Sequence, residues 1–358
     1  MRGRHQHQAP RPLRRVADVK QQLRSLAHRV FVSAGITRVG RRLRDPNGTL
    51  ILYGHRVSDD DESFFQGLAP DWLREQLGYL TRNYEVIPLS TLLGCIEEQR
   101  PVPPRSVVLT FDDGFRDFVE NAVPILDEFG VTATVYVVTE SLSDGRLPWS
   151  QRLGYMFQKT TATELQHVML GREPVALTGE AQRRRVYAQM MRLLESVPRE
   201  PRDGTIEELA RLLEIDPPRD RMMTWQHARE VIDGGHEVGA HTYSHALLAR
   251  VPASEARLEL ERCKADLEEH LGLRHSSFCF PAASTTAELR STVRDLGFRS
   301  CFVSNRSKRL NRLGDVDAFS LVRVGQPNGR AVNLEAELDG PSHGIRRLVG
   351  RYAQVGGR

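Results

Sequence analysis

The feature that most restricts the fold is the run Ser-Val-Val-Leu-Thr-Phe at 106–111, which stops abruptly at Asp112-Asp113-Gly114. A short apolar, β-branched run closed by a turn signal reads as a strand buried on both faces. Strands of that kind belong to parallel sheets covered by helices. The neighbouring sequence keeps the same rhythm. Thr49-Leu-Ile-Leu-Tyr53 is another buried strand, and 131–138 a third; helices are expected over 70–83 and about 116–129. After position 223 the alternation resumes. Thr224 is placed to cap a helix reaching Asp233, followed by a strand over 237–241 and a long charged helix over 253–271. A strand over 277–281 precedes Thr285-Thr-Ala-Glu288, a capping-box pattern that opens a helix to Gly297. Strands are then expected over 299–304 and 319–324. Strands alternating with helices predict an α/β parallel sheet or barrel.

The rhythm breaks at about 141. Residues 145–222 are polar and helix-prone, carry Arg183-Arg184-Arg185, and are punctuated by Pro198, Pro201, Pro217 and Pro218. They predict a helical insertion or lid. Charge is unevenly placed as well. The 358 residues have a net charge of +4, which alone would suggest nucleic acid. Residues 1–46 hold twelve Lys/Arg against two acids, and 341–358 hold four Arg and no acid; the body between holds 34 basic against 44 acidic residues. The basic surplus lies in the ends. Such an arm suits an anionic partner such as a membrane surface, or it is a solvated tail. No recognition motif accompanies it, so nucleic acid is not expected. No apolar core follows the basic opening residues, so no secretory signal is read there. The expected location is cytoplasmic, with peripheral contact at the inner membrane face. Cys95, Cys263, Cys279 and Cys301 are far apart and are expected to be free thiols.

Two clusters carry chemistry. Asp112-Asp113-Gly114 follows the C-terminal end of a strand, where barrel and open α/β enzymes keep their sites. Adjacent carboxylates there point different ways, so one can hold a metal while the other handles protons; the competing reading is a solvated turn. His241-Thr-Tyr-Ser-His245 also follows a strand, and two His at i, i+4 can meet one ion if the segment turns helically. Asp113, His241 and His245 together supply the ligand set of a catalytic zinc-type site with an open position for water.

In combination, Thr110-Phe-Asp-Asp-Gly114 and His241-Thr-Tyr-Ser-His245 resemble the polysaccharide deacetylases, the NodB-homology domain of carbohydrate esterase family 4. Leu52-Tyr-Gly-His-Arg-Val57 resembles that family's opening element, although Gly54 interrupts its usual Tyr-His pair. Met223-Thr-Trp-Gln226 with Gly234-Gly-His-Glu-Val-Gly-Ala-His241 resembles the approach to the second motif. Phe278-Cys-Phe-Pro-Ala-Ala283 resembles the third motif and Phe319-Ser-Leu-Val-Arg-Val324 the closing strand. The resemblance covers about residues 49–325.

The resemblance implies a deformed (β/α) barrel with fewer than eight strands, here carrying the helical insertion at about 145–222. The barrel would occupy 47–340, between a basic arm at 1–46 and a basic tail at 341–358. It implies an N-acetyl hydrolase acting on an acetylated glycan. Asp113, His241 and His245 would bind one divalent metal, zinc, with cobalt or nickel as alternatives; Asp112 would be the general base. Backbone N–H groups near Gly114 would complete an oxyanion hole. Phe280 and Pro281 of the third motif would lie beside the substrate. Two departures matter. Cys279 stands where the family often has an arginine, and Ala283 where it has a glycine; Arg323 is expected to supply the missing positive charge beside Asp112. No late Leu-x-His element supplies a catalytic acid. His55 is better placed for that role than His343, although a structural role for His55 is nearly as good a reading. Trp149 is read as a sugar-stacking ring or, preferably, as an anchor of the insertion. An O-acetyl esterase, another amidohydrolase and a catalytically impaired carbohydrate-binding homologue remain open. A serine hydrolase is not expected, because no Gly-x-Ser-x-Gly elbow is present, and neither phosphate-loop nor dinucleotide fingerprints occur.

Overall fold

The computed structural model describes residues 32–43, 45–60, 64–304, 310–314 and 317–340. Contacts divide the chain into two units, Pro46–Gln326 and a second formed by Met1–Asp45 with Pro327–Arg358. The expected barrel span of 47–340 compares with a contact unit of Pro46–Gln326. In the second unit the described helices Ile36–Leu43 and Ala331–Asp339 pack together. Thr37 Oγ1 donates to Glu335 Oε1 at 2.7 Å. A Cβ on Gly40 would lie 2.1 Å from the Asp339 carbonyl oxygen, so a side chain there would force the helices apart. Most of the expected basic arm, and the whole tail with His343, lie outside the described residues.

The larger unit is built on one sheet. Its first strands are β1 (Gly48–Gly54), β2 (Glu85–Val86), β3 (Ser106–Phe111) and β4 (Thr134–Val137). The insertion contributes β5 (Glu164–Leu165) and β6 (Val175–Ala176). Then come β7 (Glu237–Ala240), β8 (Ser277–Phe278), β9 (Ser300–Val303), β10 (Asn311–Arg312), β11 (Leu321–Val322) and β12 (Val324–Gly325). The order β1-β3-β4-β7-β8-β9-β11 is parallel at every step. The expected closing strand is split at Arg323: β11 pairs with β9, while β12 pairs in parallel with β1. The sheet thus all but closes on itself as a deformed barrel, and its seam lies at Arg323.

Physical constraints explain the sheet. β3 is buried at all six positions, so only apolar and small hydroxyl side chains fit. Its hydroxyls pair inside: Thr49 Oγ1 and Ser106 Oγ lie 2.7 Å apart, and Thr110 Oγ1 donates to the Leu52 carbonyl at 2.7 Å. Tyr136 is fully buried, with its hydroxyl 2.9 Å from Ser277 Oγ. Its ring requires Gly239 opposite, because a Cβ there would sit 2.4 Å from the ring. Helix Leu89–Glu97 packs Leu89, Leu92 and Leu93 into the core with Ile51, Val108, Tyr136 and Phe302. Its free N-terminal amides are met by Glu237 at the start of β7, which accepts from Leu89 N at 3.1 Å and Ser90 N at 2.9 Å.

The expected helices are present, with shifts. The helix expected over 116–129 begins as a π-helical turn, Phe118–Ala122, before Val123–Glu128. The cap before Ala287–Asp295 is Thr286 rather than Thr285, accepting from Leu289 N. Thr224 caps Trp225–Asp233 as expected, with His227 completing the capping box. The insertion has helices Trp149–Lys159, Glu180–Leu194 and Arg199–Leu212 around its own core of Leu153, Met156, Phe157, Met190, Ile206 and Leu209. It also contains the antiparallel pair β5–β6, so it is not purely helical. Among the described residues no helix is long and apolar enough to cross a membrane.

Candidate active site

The site forms where β3 and β7 end. Beyond β3 the chain must turn sharply, and Asp113 and Gly114 both take positive φ, 77° and 76°. Beyond β7, Thr242 and His245 do the same, at 66° and 61°. Left-handed backbone at non-glycine residues is costly and persists where surrounding contacts impose it. These contacts are visible: Thr139 N donates to the Thr242 carbonyl, and Ser244 is held by Glu259 through its amide at 2.8 Å and its hydroxyl at 2.7 Å. The expected helical turn between the two histidines is therefore absent. A kinked loop brings their ring centroids to 5.2 Å instead.

Asp113 Oδ1 lies 3.3 Å from His241 Nε2 and 3.2 Å from His245 Nε2. Asp113 and His241 are buried, the His245 side chain is 12 % exposed, and each of the three offers a donor atom within 4.8 Å of the others. His241 turns its Nδ1 to the Cys279 carbonyl at 2.8 Å, and since a carbonyl only accepts, that nitrogen carries the proton. In the neutral imidazole that ligation requires, its Nε2 lone pair then faces Asp113. Charge-assisted N–H···O bonds run shorter than these distances. Three acceptor atoms converging in a buried space fit a divalent cation with nitrogen and oxygen ligands. Burial also pushes the His245 imidazole toward its neutral, ligating form.

Asp112 faces a different partner. Burial would raise its carboxyl, but Arg323 outweighs that and holds it below the usual carboxylate range. Arg323 sits over the rings of Tyr53 and Phe302, 4.7 Å from each centroid, and donates to Thr110 Oγ1 at 3.1 Å. Its Nη2 also reaches Cys279 Sγ at 2.9 Å. Burial raises the Cys279 thiol, keeping it neutral. Arg323 thus places its guanidinium against both Asp112 and Cys279. Asp112, His241 and Cys279 also bring three donor atoms together, but the guanidinium already occupies that side of Asp112.

The other expected site residues fall as follows. His55 is exposed at the end of β1, with its ring 5.9 Å from that of Tyr53, and it bears electrostatically on both Asp112 and Asp113. Trp149 is 4 % exposed; its Nε1 donates to the His245 carbonyl at 2.9 Å, and Arg202 lies over its ring. A sugar face cannot stack on a ring so covered, and Trp149 anchors the insertion. Phe280 is 1 % exposed and packs edge-on against Phe278, and Pro281 is buried, so neither ring is open to a substrate. Ser150 and Gln151 were not singled out by the sequence. Gln151 Nε2 donates to Asp113 Oδ2 at 2.7 Å. The one local signal is Pro148, which starts their helix immediately upstream.

An Asp-His-His cluster and an arginine-held aspartate thus lie side by side at the ends of strands in a nearly closed parallel barrel. The family model for polysaccharide deacetylase matches residues 99–301. The chain belongs to the polysaccharide deacetylase family. A stretch of 85 residues is 33% identical to the poly-beta-1,6-N-acetyl-D-glucosamine N-deacetylase of Escherichia coli strain K12. That stretch is 23% of this chain and 13% of that enzyme. The structure is similar to that of the deacetylase PplD of Streptococcus pyogenes in complex with acetate, with a TM-score of 0.54 and 17% identity, covering 82% of this chain and 99% of that one. It is also similar to that of IcaB from Ammonifex degensii, with a TM-score of 0.53 and 20% identity, covering 82% and 97%. At these identities the likeness establishes the barrel.

Proposed function

We propose that this chain is a metal-dependent hydrolase that removes N-acetyl groups from an amino-sugar polymer or oligomer. The observation that carries the reading is the division of labour between adjacent carboxylates: Asp113 faces two imidazoles, and Asp112 faces Arg323. Asp113, His241 and His245 would hold one divalent metal, zinc by the character of the donors, with cobalt or nickel as alternatives. Such an ion, when bound, activates water and polarises the acetyl carbonyl. Asp112 takes a proton from the attacking water. It is ionised at neutral pH, and each of its oxygens keeps a lone pair after accepting from Arg323. His55, on the rim, is assigned the proton delivered to the leaving amine. The sequence likeness to the Escherichia coli enzyme supports an N-acetylglucosamine polymer as the substrate.

Acetate release from short N-acetylglucosamine oligomers, with and without chelator, tests this reading. Release that persists after full metal removal would refute the metal role; no release from these oligomers would refute the substrate. The basic ends would hold the enzyme at the cytoplasmic face of an anionic membrane. Deleting residues 1–46 should then abolish sedimentation with vesicles containing anionic phospholipid, and undiminished binding would remove the idea.

A further inference from the structure

Three consecutive residues at the start of the insertion's first helix touch the metal-type cluster. Trp149 donates its indole N–H to the His245 carbonyl. Ser150 Oγ lies 3.4 Å from His245 Nδ1 and donates to Gln151 Oε1. Gln151 Nε2 donates to Asp113 Oδ2. Ser150 and Gln151 are buried, at 6 % and 7 % exposure.

The directions of these bonds are forced. An ionised carboxylate only accepts, so Gln151 must turn its NH₂ to Asp113 and its carbonyl oxygen to Ser150. The Ser150 hydrogen is thereby committed to Gln151. Toward His245, Ser150 Oγ can only accept, so His245 Nδ1 must carry the proton. In the neutral imidazole, the His245 Nε2 is left with its lone pair facing Asp113 Oδ1, and the Cys279 carbonyl holds the Nδ1 proton of His241 in the same way. At the same time the amide of Gln151 engages Asp113 Oδ2 and leaves Oδ1 for the ion.

We propose that Ser150 and Gln151 are positioning residues of the metal centre, setting the His245 tautomer and confining Asp113 to single-oxygen ligation. The insertion is then part of the site rather than a separate lid. This inference rests on the metal-dependent reading above. Groups that orient ligands in this way commonly change metal affinity about 10–100-fold when removed.

The test is competition between the full-length protein and a chromophoric chelator for Zn²⁺ and Co²⁺, with the melting temperature of the metal-free protein read in parallel. Gln151→Leu should weaken affinity by about 10–100-fold. Ser150→Ala should weaken it in the same direction, and it carries the test if the leucine variant does not fold. Gln166→Ala, on the same insertion with its amide on the Arg172 carbonyl, should leave affinity unchanged. A purely structural role would lower the metal-free melting temperature and spare the affinity of the folded fraction. Wild-type protein that binds metal while Ser150→Ala and Gln151→Leu bind equally well would overturn this inference alone. Wild-type protein that binds neither ion would overturn the metal-dependent function itself, and this inference with it.

Discussion

Arg323 grips both oxygens of Asp112, with Nη1 on Oδ1 and Nη2 on Oδ2, each at 2.7 Å. The arginine comes from the break between β11 and β12, so the seam that closes the barrel also positions the proposed base. A planar fork matches a carboxylate in a way that a single ammonium cannot.

Replacing Arg323 should therefore uncouple catalysis from metal binding. Arg323→Met is expected to lower kcat/KM at least 100-fold while metal content stays at the wild-type level, because Asp113, His241 and His245 are untouched. Arg323→Lys should recover little. Steady-state kinetics with metal analysis on the same preparations checks this, and an undiminished rate in the methionine variant contradicts it. Losing one partner of a buried pair should also cost about 3–5 kcal/mol of stability.

The barrel interior makes a sharper structural prediction at Gly239. A Cβ there would lie 2.4 Å from the Tyr136 ring and 2.9 Å from the Ser277 carbonyl oxygen. Gly239→Ala should destabilise the fold by about 1–3 kcal/mol, the usual cost of overpacking. Urea denaturation reads this directly, and an unchanged midpoint would show that the ring can move aside.

Ala283 predicts the opposite sign. It holds φ at 53°, where the family resemblance places a glycine. Left-handed backbone costs an L-residue about 1–2 kcal/mol, partly offset by the extra freedom of glycine in the unfolded chain. Ala283→Gly should be stabilising by about 0.5–1 kcal/mol. A lower melting temperature would mean that the alanine methyl makes contacts worth more than the strain.

Glu140 gives the fold a pH dependence. Burial lifts its carboxyl from the ordinary 4.5 to about 7, despite the Arg199 guanidinium beside it. A carboxyl that holds its proton more tightly in the folded state stabilises fully below about pH 4.5, and that contribution is lost as pH rises through about 7. Glutamine has no such loss. The melting temperature of Glu140→Gln minus that of wild type should grow steadily between about pH 5 and pH 8, reaching the order of 2 kcal/mol in stability. A pH-independent difference would rule this out.

Much of this was legible in the sequence, for identifiable reasons. Buried parallel strands need continuous apolar runs, so β1, β3 and β4 announced themselves. Asp112, Asp113, His241 and His245 sit immediately after strands, and position along the chain was enough to bring them together. Arg323 was reachable because a substitution at Cys279 left a charge to be found elsewhere. What stayed hidden depends on tertiary contact. Ser150 and Gln151 lie 95 and 38 positions from the residues they touch, and Pro148 marks only the start of their helix, not its contacts. Phe280 and Pro281 were placed beside the substrate by the likeness to the third motif, and Trp149 was read as a stacking ring or, preferably, as an anchor; burial turns all three inward. The pairing of Ile36–Leu43 with Ala331–Asp339 joins segments nearly three hundred residues apart, and the local pattern of neither names the other as its partner.

The central claim is that Asp112 moves the proton while Asp113 and the two histidines hold the metal. The most direct test is acetate release from N-acetylglucosamine oligomers by wild type and Asp112→Asn, with metal content measured on both. The account predicts equal metal in the two proteins and a loss of turnover of about 10²–10⁴-fold in the asparagine variant, the usual contribution of a general base. Equal acetate release from the two metal-loaded proteins would contradict it.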